Sequence, residues 1–280
     1  MDDFADESLG ELEAIEIDLL LQALYLRYGY DYRDYMKNSI RRRIWHRVNS
    51  ERLPSITALT EKVLHDQSCL NRLIADFSIN VTEMFRDPPF FKSFRDKVVP
   101  LLRTYPSLRI WHAGCSSGEE VYSMAILLHE EGLYERTKMY ATDINARMLK
   151  KAKSGTMSLE YMRKYTNQYI VSGGKAAFSD YYSVEAGRVK LHPFLTKNIV
   201  FAKHNLATDT SFNAFNVILC RNVLIYFNRT LQERVHDLFY DSLSMFGILG
   251  LGDKESIAQS RNMDCFEAFA DNQKIYRKVK

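Results

Sequence analysis

Hydrophobic and polar positions follow two different rules along the chain. Between residues 11 and 80 the apolar residues recur at helical spacing. Leu12, Ile15, Leu19, Leu20, Leu24 and Leu26 form one such run, and Tyr28-Gly29-Tyr30 ends it at a glycine. Met36, Ile40, Ile44 and Val48 repeat every four residues and predict a second helix over about residues 34–48. Pro54-Ser55 opens a third through residue 64, and a fourth runs over residues 68–77. No strand pattern interrupts them, so a small all-helical domain is expected.

From residue 109 the rule changes to alternation. A buried strand is predicted at residues 109–113, a small-residue loop at 114–118 and an amphipathic helix from 119. A second strand, residues 138–142, ends in Asp143. Helices follow at residues 146–152 and 158–165, a mostly apolar strand at 215–220, a long helix at 229–246, and closing strands at 247–251 and 273–279. Such alternation predicts a three-layer α/β sheet. Residues 177–203 break it with short strand-like runs at 178–184, 188–191 and 199–202 and a turn at Ala186-Gly187, read as a small antiparallel insert. Between the two regimes lies SINVTEMFRDPPFF, polar where the chain should pack. Pro88 restricts Asp87 to extended geometry, and the double proline opens a helix over residues 90–103 whose apolar face is Phe90, Phe91, Phe94, Val98 and Leu101. The domain boundary is therefore placed near residue 90, giving domains 1–90 and 91–280, and domain junctions commonly hold ligands.

At 280 residues, a core large enough to need no disulfide or metal is available. The four cysteines, Cys69, Cys115, Cys220 and Cys265, form no C-x-x-C pair, so no metal site is expected. No apolar run approaches the ~20 residues needed to span a bilayer. The acidic start lacks a signal peptide's basic start and apolar core, which predicts a cytoplasmic chain. A net charge of +3 is too weak to imply nucleic acid. Its distribution says more: residues 1–18 hold eight acids and no Lys or Arg, and residues 33–52 hold seven Lys/Arg against two acids. Lys37, Arg41, Arg42, Arg43 and Arg47 lie in the second helix, where three consecutive arginines fan over roughly 200°. They read either as a solvated face or as a docking surface for an acidic helix.

Three features converge at predicted strand ends. The loop after the first strand carries Gly114 and Gly118, which let a ligand approach the backbone. Asp143 ends the second strand, where an acid can accept both hydroxyls of a ribose. Cys220-Arg221-Asn222-Val223 ends the FNVILC strand. Each has a plain alternative: Asp143 or Asn222 as helix caps, and Glu119 and Glu120 as ordinary first-turn acids. GCSSG also fits G-x-S-x-G, with Ser116 as a hydrolase nucleophile. The later histidines argue against that, since His192 and His204 fall in the expected insert and His236 inside a helix. A dinucleotide fingerprint needs three glycines, and GCSSGEE has two.

Five segments together resemble the S-adenosylmethionine-dependent chemoreceptor glutamate methyltransferases of the CheR type. They are Asn80, Thr82, Arg86, Asp87 and Pro88 as N-x-T-x-x-x-R-D-P; W-x-A-G-C-S-S-G-E-E at residues 111–120; A-T-D-I at 141–144; Asn205-Leu206; and C-R-N-V-L-I-Y-F at 220–227. The resemblance implies a Rossmann-like sheet with an N-terminal all-helical domain and a small antiparallel insert. It implies that Asn80, Thr82, Arg86, Gly114, Glu119, Asp143, Asn205, Leu206, Asn222 and Val223 line the pocket of S-adenosylmethionine, whose product is S-adenosylhomocysteine. Glu119 is preferred over Glu120. Arg86 and Tyr226 are expected to face the transferred methyl group and the acceptor, and the basic cluster is expected to meet the cytoplasmic helices of methyl-accepting chemoreceptors. The short turn at residues 183–187 holds one glycine, so no tether to a receptor's C-terminal pentapeptide is expected. A monomer is expected, with no nucleic acid and no membrane insertion. A non-catalytic adaptor is the alternative from outside enzymology.

Overall fold

The computed structural model describes residues 2–77, 82–270 and 273–280, with side chains from residue 10 onward. The chain divides into two units. One comprises residues 1–79 with 226–232, and the other residues 80–225 with 233–280.

In the helical unit, α1 (Asp2–Tyr28), α2 (Lys37–Ser50), α3 (Ile56–His65) and α4 (Gln67–Phe77) follow the four expected runs. Ser55 caps α3 by accepting from the Ala58 N–H at 3.1 Å. The core gathers Leu20, Leu24, Ile40, Ile44, Val48, Leu59, Val63, Leu70, Leu73 and Phe77. Leu12, Ile15, Leu19 and Leu26 face away from this core and stay exposed. Apolar residues line both sides of α1, and only the side carrying Leu20, Leu21 and Leu24 is covered.

The sheet unit begins earlier than residue 90. Met84, Phe85, Phe90, Phe91 and Phe94 all belong to its core, which draws the boundary back to 79/80. The proline-led helix is interrupted: α5 (Pro88–Ser93) passes through a π turn at Phe94–Val98 into α6 (Val99–Leu102). Pro100 lacks an N–H, and widening the preceding turn avoids the clash of its ring with the helix carbonyls.

The main elements then follow in order: β1 (Leu108–Ala113), α7 (Glu119–Glu130), β2 (Thr137–Asp143), α8 (Ala146–Ser154), β3 (Thr156–Ser158), α9 (Met162–Val171), β4 (Tyr182–Glu185), β5 (Arg188–Leu191), β6 (Ile199–Lys203), β7 (Phe215–Cys220), α10 (Arg229–Ser242), β8 (Leu243–Leu251), β9 (Phe266–Ala270) and β10 (Ile275–Lys278). The first turn of α10 groups with the helical unit. Seven strands form the main sheet in the order β6-β2-β1-β7-β8-β10-β9. β6, β2, β1, β7 and β8 are parallel, and β10 runs antiparallel to both β8 and β9.

The insert is smaller than expected and differently composed. β6 is not part of it, because it pairs parallel to β2 and extends the main sheet. The separate sheet is β3-β5-β4, so residues 156–158 supply a strand that sequence spacing placed at a helix start, and residues 178–181 form a 3₁₀ turn. The long helix ends at Ser242, not at residue 246, because Leu243, Ile248 and Leu249 pair with β7. β9 was not anticipated; its exposed Glu267 and Ala268 dilute the apolar pattern of an edge strand. No described helix is long and apolar enough to cross a membrane.

Candidate active site

Strand order reverses between β1 and β7, since β2 and β6 build outward on one side and β8 on the other. The loops leaving β1 and β7 come together there at the carboxyl edge, where doubly wound sheets hold ligands. Three segments of the sheet unit meet around it: the loop after β1, the end of β2, and the loop after β7.

The β1 loop is drawn toward β2. The N–H groups of Gly114 and Cys115 both donate to the Thr142 carbonyl at 2.8 Å. Ser116 takes a left-handed conformation, φ 49°, and its N–H donates to Asp143 Oδ2 at 2.8 Å. Asp143 Oδ1 accepts the Asn145 N–H at 2.8 Å. The cap of α8 is Asn145, whose Oδ1 accepts from Arg147 N at 3.0 Å and Met148 N at 3.3 Å. Asp143 therefore sits at the strand end without the capping task that would have explained it away. Burial pushes its carboxyl up, and the backbone N–H groups of Asn145, Ser116 and Ile144 only partly oppose that.

Gly118 enters α7 at φ 94° with no side-chain cap, leaving the helix N-terminus open to an acceptor. The two first-turn acids behave differently. Glu120 accepts from His112 Nδ1 at 2.9 Å and from Arg221 Nη1 at 3.2 Å. Burial would raise its carboxyl, but these two partners hold it low. Glu119 accepts from the neighbouring Ser117 hydroxyl at 2.7 Å, and burial raises it against the opposing pull of Ser117, its own backbone N–H and Lys151. Glu120 is committed to the fold, and Glu119 keeps acceptor capacity at the crevice.

Arg221 organises the segment before α5. Its buried guanidinium donates to the Arg86 carbonyl at 3.1 Å and to Asp87 Oδ2 at 2.8 Å, and stacks 4.0 Å from the centre of Phe90. Phe85 N–H donates to Ser123 Oγ at 2.8 Å, and Ser123 in turn donates to the Glu119 carbonyl at 2.7 Å. Phe85 and Asp87 both have positive φ. Arg86 thus lies half-buried between two strained residues that α7 and β7 hold in place.

The β7 loop depends on a residue that sequence reasoning missed. Glu255 is buried, and its carboxylate accepts four backbone N–H groups: Asn222 at 2.9 Å, Val223 at 2.8 Å, Leu224 at 2.7 Å and Gly252 at 2.6 Å. Burial raises it, and those four donors offset part of the cost. It fixes Asn222 at φ 62° and presents Val223 to the β1 loop. A Cβ on Gly114 would lie 2.5 Å from Val223 Cγ2, so the two loops close on each other only because residue 114 is glycine. The signal was a lone acid after an apolar strand, GLGDKE, which no spacing rule distinguishes from a surface loop.

Asn205 and Leu206 follow β6. Asn205 Oδ1 accepts the Ala207 N–H at 3.0 Å, and both residues are buried. Thr82 is half-buried, and Asn80 lies outside the described residues. Tyr226 belongs to the helical unit, where its carbonyl accepts the Met36 N–H at 2.9 Å and its ring lies 5.6 Å from the Arg43 guanidinium. Within that unit the basic cluster splits. Arg43 is buried and donates to the Phe77 carbonyl at 2.5 Å. Arg47 is engaged by Asp76 at 2.7 Å and Glu51 at 3.2 Å. Arg41 is exposed and paired with Glu13 at 2.7 Å, and Lys37 and Arg42 are exposed. Arg43 and Arg47 are therefore braces of the helical unit, while Lys37, Arg41 and Arg42 face solvent.

Hydrolase chemistry finds no support. Among the described residues the Ser116 hydroxyl has no hydrogen-bond partner, and His204 Nε2 is bonded to the Thr210 carbonyl at 3.2 Å. Trp111 is core: its Nε1 donates to Thr142 Oγ1 at 2.8 Å amid His204, Phe212, Phe215 and Phe239. Burial raises the Cys115 and Cys220 thiols, which makes both poor nucleophiles. The described residues contain no cluster able to hold a metal ion.

A crevice with a strand-end acid, a desolvated helix-start acid and glycine-lined close loops defines an α/β enzyme site for an adenosine cofactor. Residues 15–78 match the family model for the CheR methyltransferase all-alpha domain, and residues 80–272 match that for the CheR methyltransferase SAM binding domain. The chain belongs to the CheR methyltransferase family. It is 50% identical over 264 residues to "Putative methyltransferase Cher3" of Pseudomonas putida, covering 94% of this chain and 97% of that one. It is 31% identical to a chemotaxis protein methyltransferase of Listeria innocua (82% and 85% covered) and 29% identical to that of Escherichia coli (85% and 82% covered).

The residues fit S-adenosylmethionine. Asp143 offers a desolvated carboxylate where ribose hydroxyls need acceptors, Glu119 offers a second, and the Ser116 hydroxyl is buried without a partner.

Proposed function

We propose that the chain methylates glutamate side chains in the cytoplasmic helices of chemoreceptors, forming methyl esters. The observation that carries this is the two carboxyls raised by burial, Asp143 at the end of β2 and Glu119 at the start of α7, in a family-matched cofactor domain. Relatives that are chemotaxis protein methyltransferases support the chemotaxis setting. Bound S-adenosylmethionine supplies an electrophilic methyl group on a sulfonium. Asp143 holds the ribose, and Glu119 accepts from polar groups along the cofactor. Thr82, Asn205, Leu206, Asn222 and Val223 complete the walls, and Asn80 lies outside the described residues. An acceptor glutamate has an unperturbed pKa of about 4.3 and arrives ionised, so the site needs no general base. That agrees with a crevice that brings no histidine to Ser116. Arg86 positions the reacting groups by charge, and Tyr226 orients the acceptor carboxylate with its hydroxyl.

Lys37, Arg41 and Arg42 form the receptor-facing part of the helical unit, and no pentapeptide tether is used. The protein acts in the cytoplasm. Methyl-labelled cofactor and purified receptor cytoplasmic fragments test the reading. Base-labile label released as methanol is expected; base-stable label or none overturns it, and none with intact cofactor binding would leave the adaptor role.

A further inference from the structure

The outer face of α1 carries four large aliphatic side chains with nothing upon them. Leu12, Ile15, Leu19 and Leu26 are 54%, 57%, 58% and 72% exposed. They follow steps of three, four and seven residues, which place them on one stripe of the helix. The opposite side of α1, with Leu20, Leu21 and Leu24, already supplies the core. A helix that is apolar on both sides is expected to be covered on both sides. A single chain rarely exposes a contiguous apolar patch of this kind without a partner.

We propose that this face is the contact surface of an antiparallel homodimer of the chain. The stripe is symmetric about Leu19. Leu12 and Leu26 each stand seven residues from it, Ile15 and Ala23 four, and Glu11 and Arg27 eight. Two copies crossing at Leu19 in opposite directions therefore set Leu12 against Leu26, Ile15 against the small Ala23, and Glu11 against Arg27. A two-fold contact requires this self-complementarity. Among the described residues no ion pair engages Glu11 or Arg27, and both are exposed.

Charge selects the direction. Residues 10–18 hold four acids, Glu11, Glu13, Glu16 and Asp18, and no Lys or Arg. A parallel pair would lay those two segments side by side. An antiparallel pair lays each beside the half of the partner's helix that ends in Arg27. α1 has 27 residues and is roughly 40 Å long, enough for a two-helix interface.

Disulfide trapping and sedimentation of the full chain test the proposal. Of the native cysteines, Cys69, Cys115 and Cys220 are buried, and the half-buried Cys265 is replaced by Ser to remove its background. Leu19→Cys is expected to form an intermolecular disulfide rapidly, because residue 19 faces its own copy. Leu12→Cys alone is expected not to. Leu19→Lys should weaken self-association by tenfold or more while S-adenosylhomocysteine binding and helix content stay unchanged. Glu11→Arg and Arg27→Glu should each weaken it, and the double variant should restore it. A chain that sediments as a monomer up to roughly 100 μM overturns the proposal. So does efficient crosslinking through Leu12→Cys alone, which would mean a parallel pair, or a dimer insensitive to Leu19→Lys, which would place the contact elsewhere.

Discussion

In the helical unit Glu51 sits among three cations: Arg72 at 2.7 Å, Lys62 at 2.9 Å and Arg47 at 3.2 Å. Arg72 foremost, then Lys62, hold its carboxyl down to about 2. In the sheet unit Asp143, Glu119 and Glu255 have no such company. Among the described residues none of them meets a cation within salt-bridge distance, and burial raises all three. The same chemical group therefore does opposite work. Where it is paired, its charge is spent on holding helices together. Where it is desolvated and faced by N–H groups, it shapes a loop or waits for a hydroxyl donor. Glu255 shapes a loop; Asp143 and Glu119 retain capacity toward a ligand.

The largest effect should come from Glu255. Glu255→Ala strands four buried N–H groups, each worth about 1 kcal/mol or more when unsatisfied. We expect the sheet unit to lose about 3 kcal/mol or more in urea unfolding. Glu255→Gln keeps the shape, but its amide NH₂ cannot accept, so one side of the cradle is lost. S-adenosylhomocysteine affinity should fall by more than tenfold in calorimetry. A folded Glu255→Gln with native affinity would break the assignment of the loop-shaping role.

Next is Gly114→Ala. The new methyl would meet Val223 at 2.5 Å, at a backbone φ of 80° that an L side chain adopts at a cost of about 1 kcal/mol. The β1 and β7 loops must separate. Cofactor affinity should drop by about tenfold, with thermal stability lowered by less than in the Glu255 variants. Equal affinity in the variant would show that the loop contact does not form the crevice.

How much of this could be read from residues alone differs by element. Strand ends carried their own labels: Asp143 after KMYAT and Arg221-Asn222 after FNVILC are polar residues where apolar runs stop. Helices of the first unit were placed within a few residues, because core packing enforces the 3.6-residue period. The outer face of α1 misled, since periodicity finds apolar residues and cannot tell which of two faces the rest of the chain covers. β6 was assigned to the insert because pairing with β2 is a long-range choice that leaves no local mark. Arg43 and Arg47 looked like surface charge; their acceptors, the Phe77 carbonyl and Asp76, lie about thirty residues away. Glu255 was invisible because its function depends on N–H groups some thirty residues upstream.

Asp143 gives a third test, with a defined sign. Asp143→Ala should weaken S-adenosylhomocysteine binding by more than ~1 kcal/mol. In the free protein its raised pKa means that the protonated form is favoured by folding. That increment of stability is present at low pH and lost as pH rises through the raised value. Two ribose hydroxyls need two acceptor oxygens, so binding favours the ionised form. Affinity should therefore fall on acidification in a window that lies above the ordinary Asp range. Asp143→Asn should flatten that dependence. An identical pH profile in wild type and Asp143→Asn would move the ribose to another residue.

Glu51 should give the smallest effect and mark the other side of the contrast. Its folded pKa is depressed, so its contribution is fully present above the unfolded value of about 4.3 and disappears as pH falls toward about 2. Glu51→Gln removes an acceptor shared by Arg72, Lys62 and Arg47, of which Arg72 and Lys62 are partly exposed. Screening by water limits such pairs, and a loss of about 1 kcal/mol is expected at neutral pH and none near pH 2. S-adenosylhomocysteine affinity should not change. A shift in cofactor binding in Glu51→Gln, equal to that in Asp143→Ala, would erase the distinction between a carboxylate that braces helices and one that waits for a ligand.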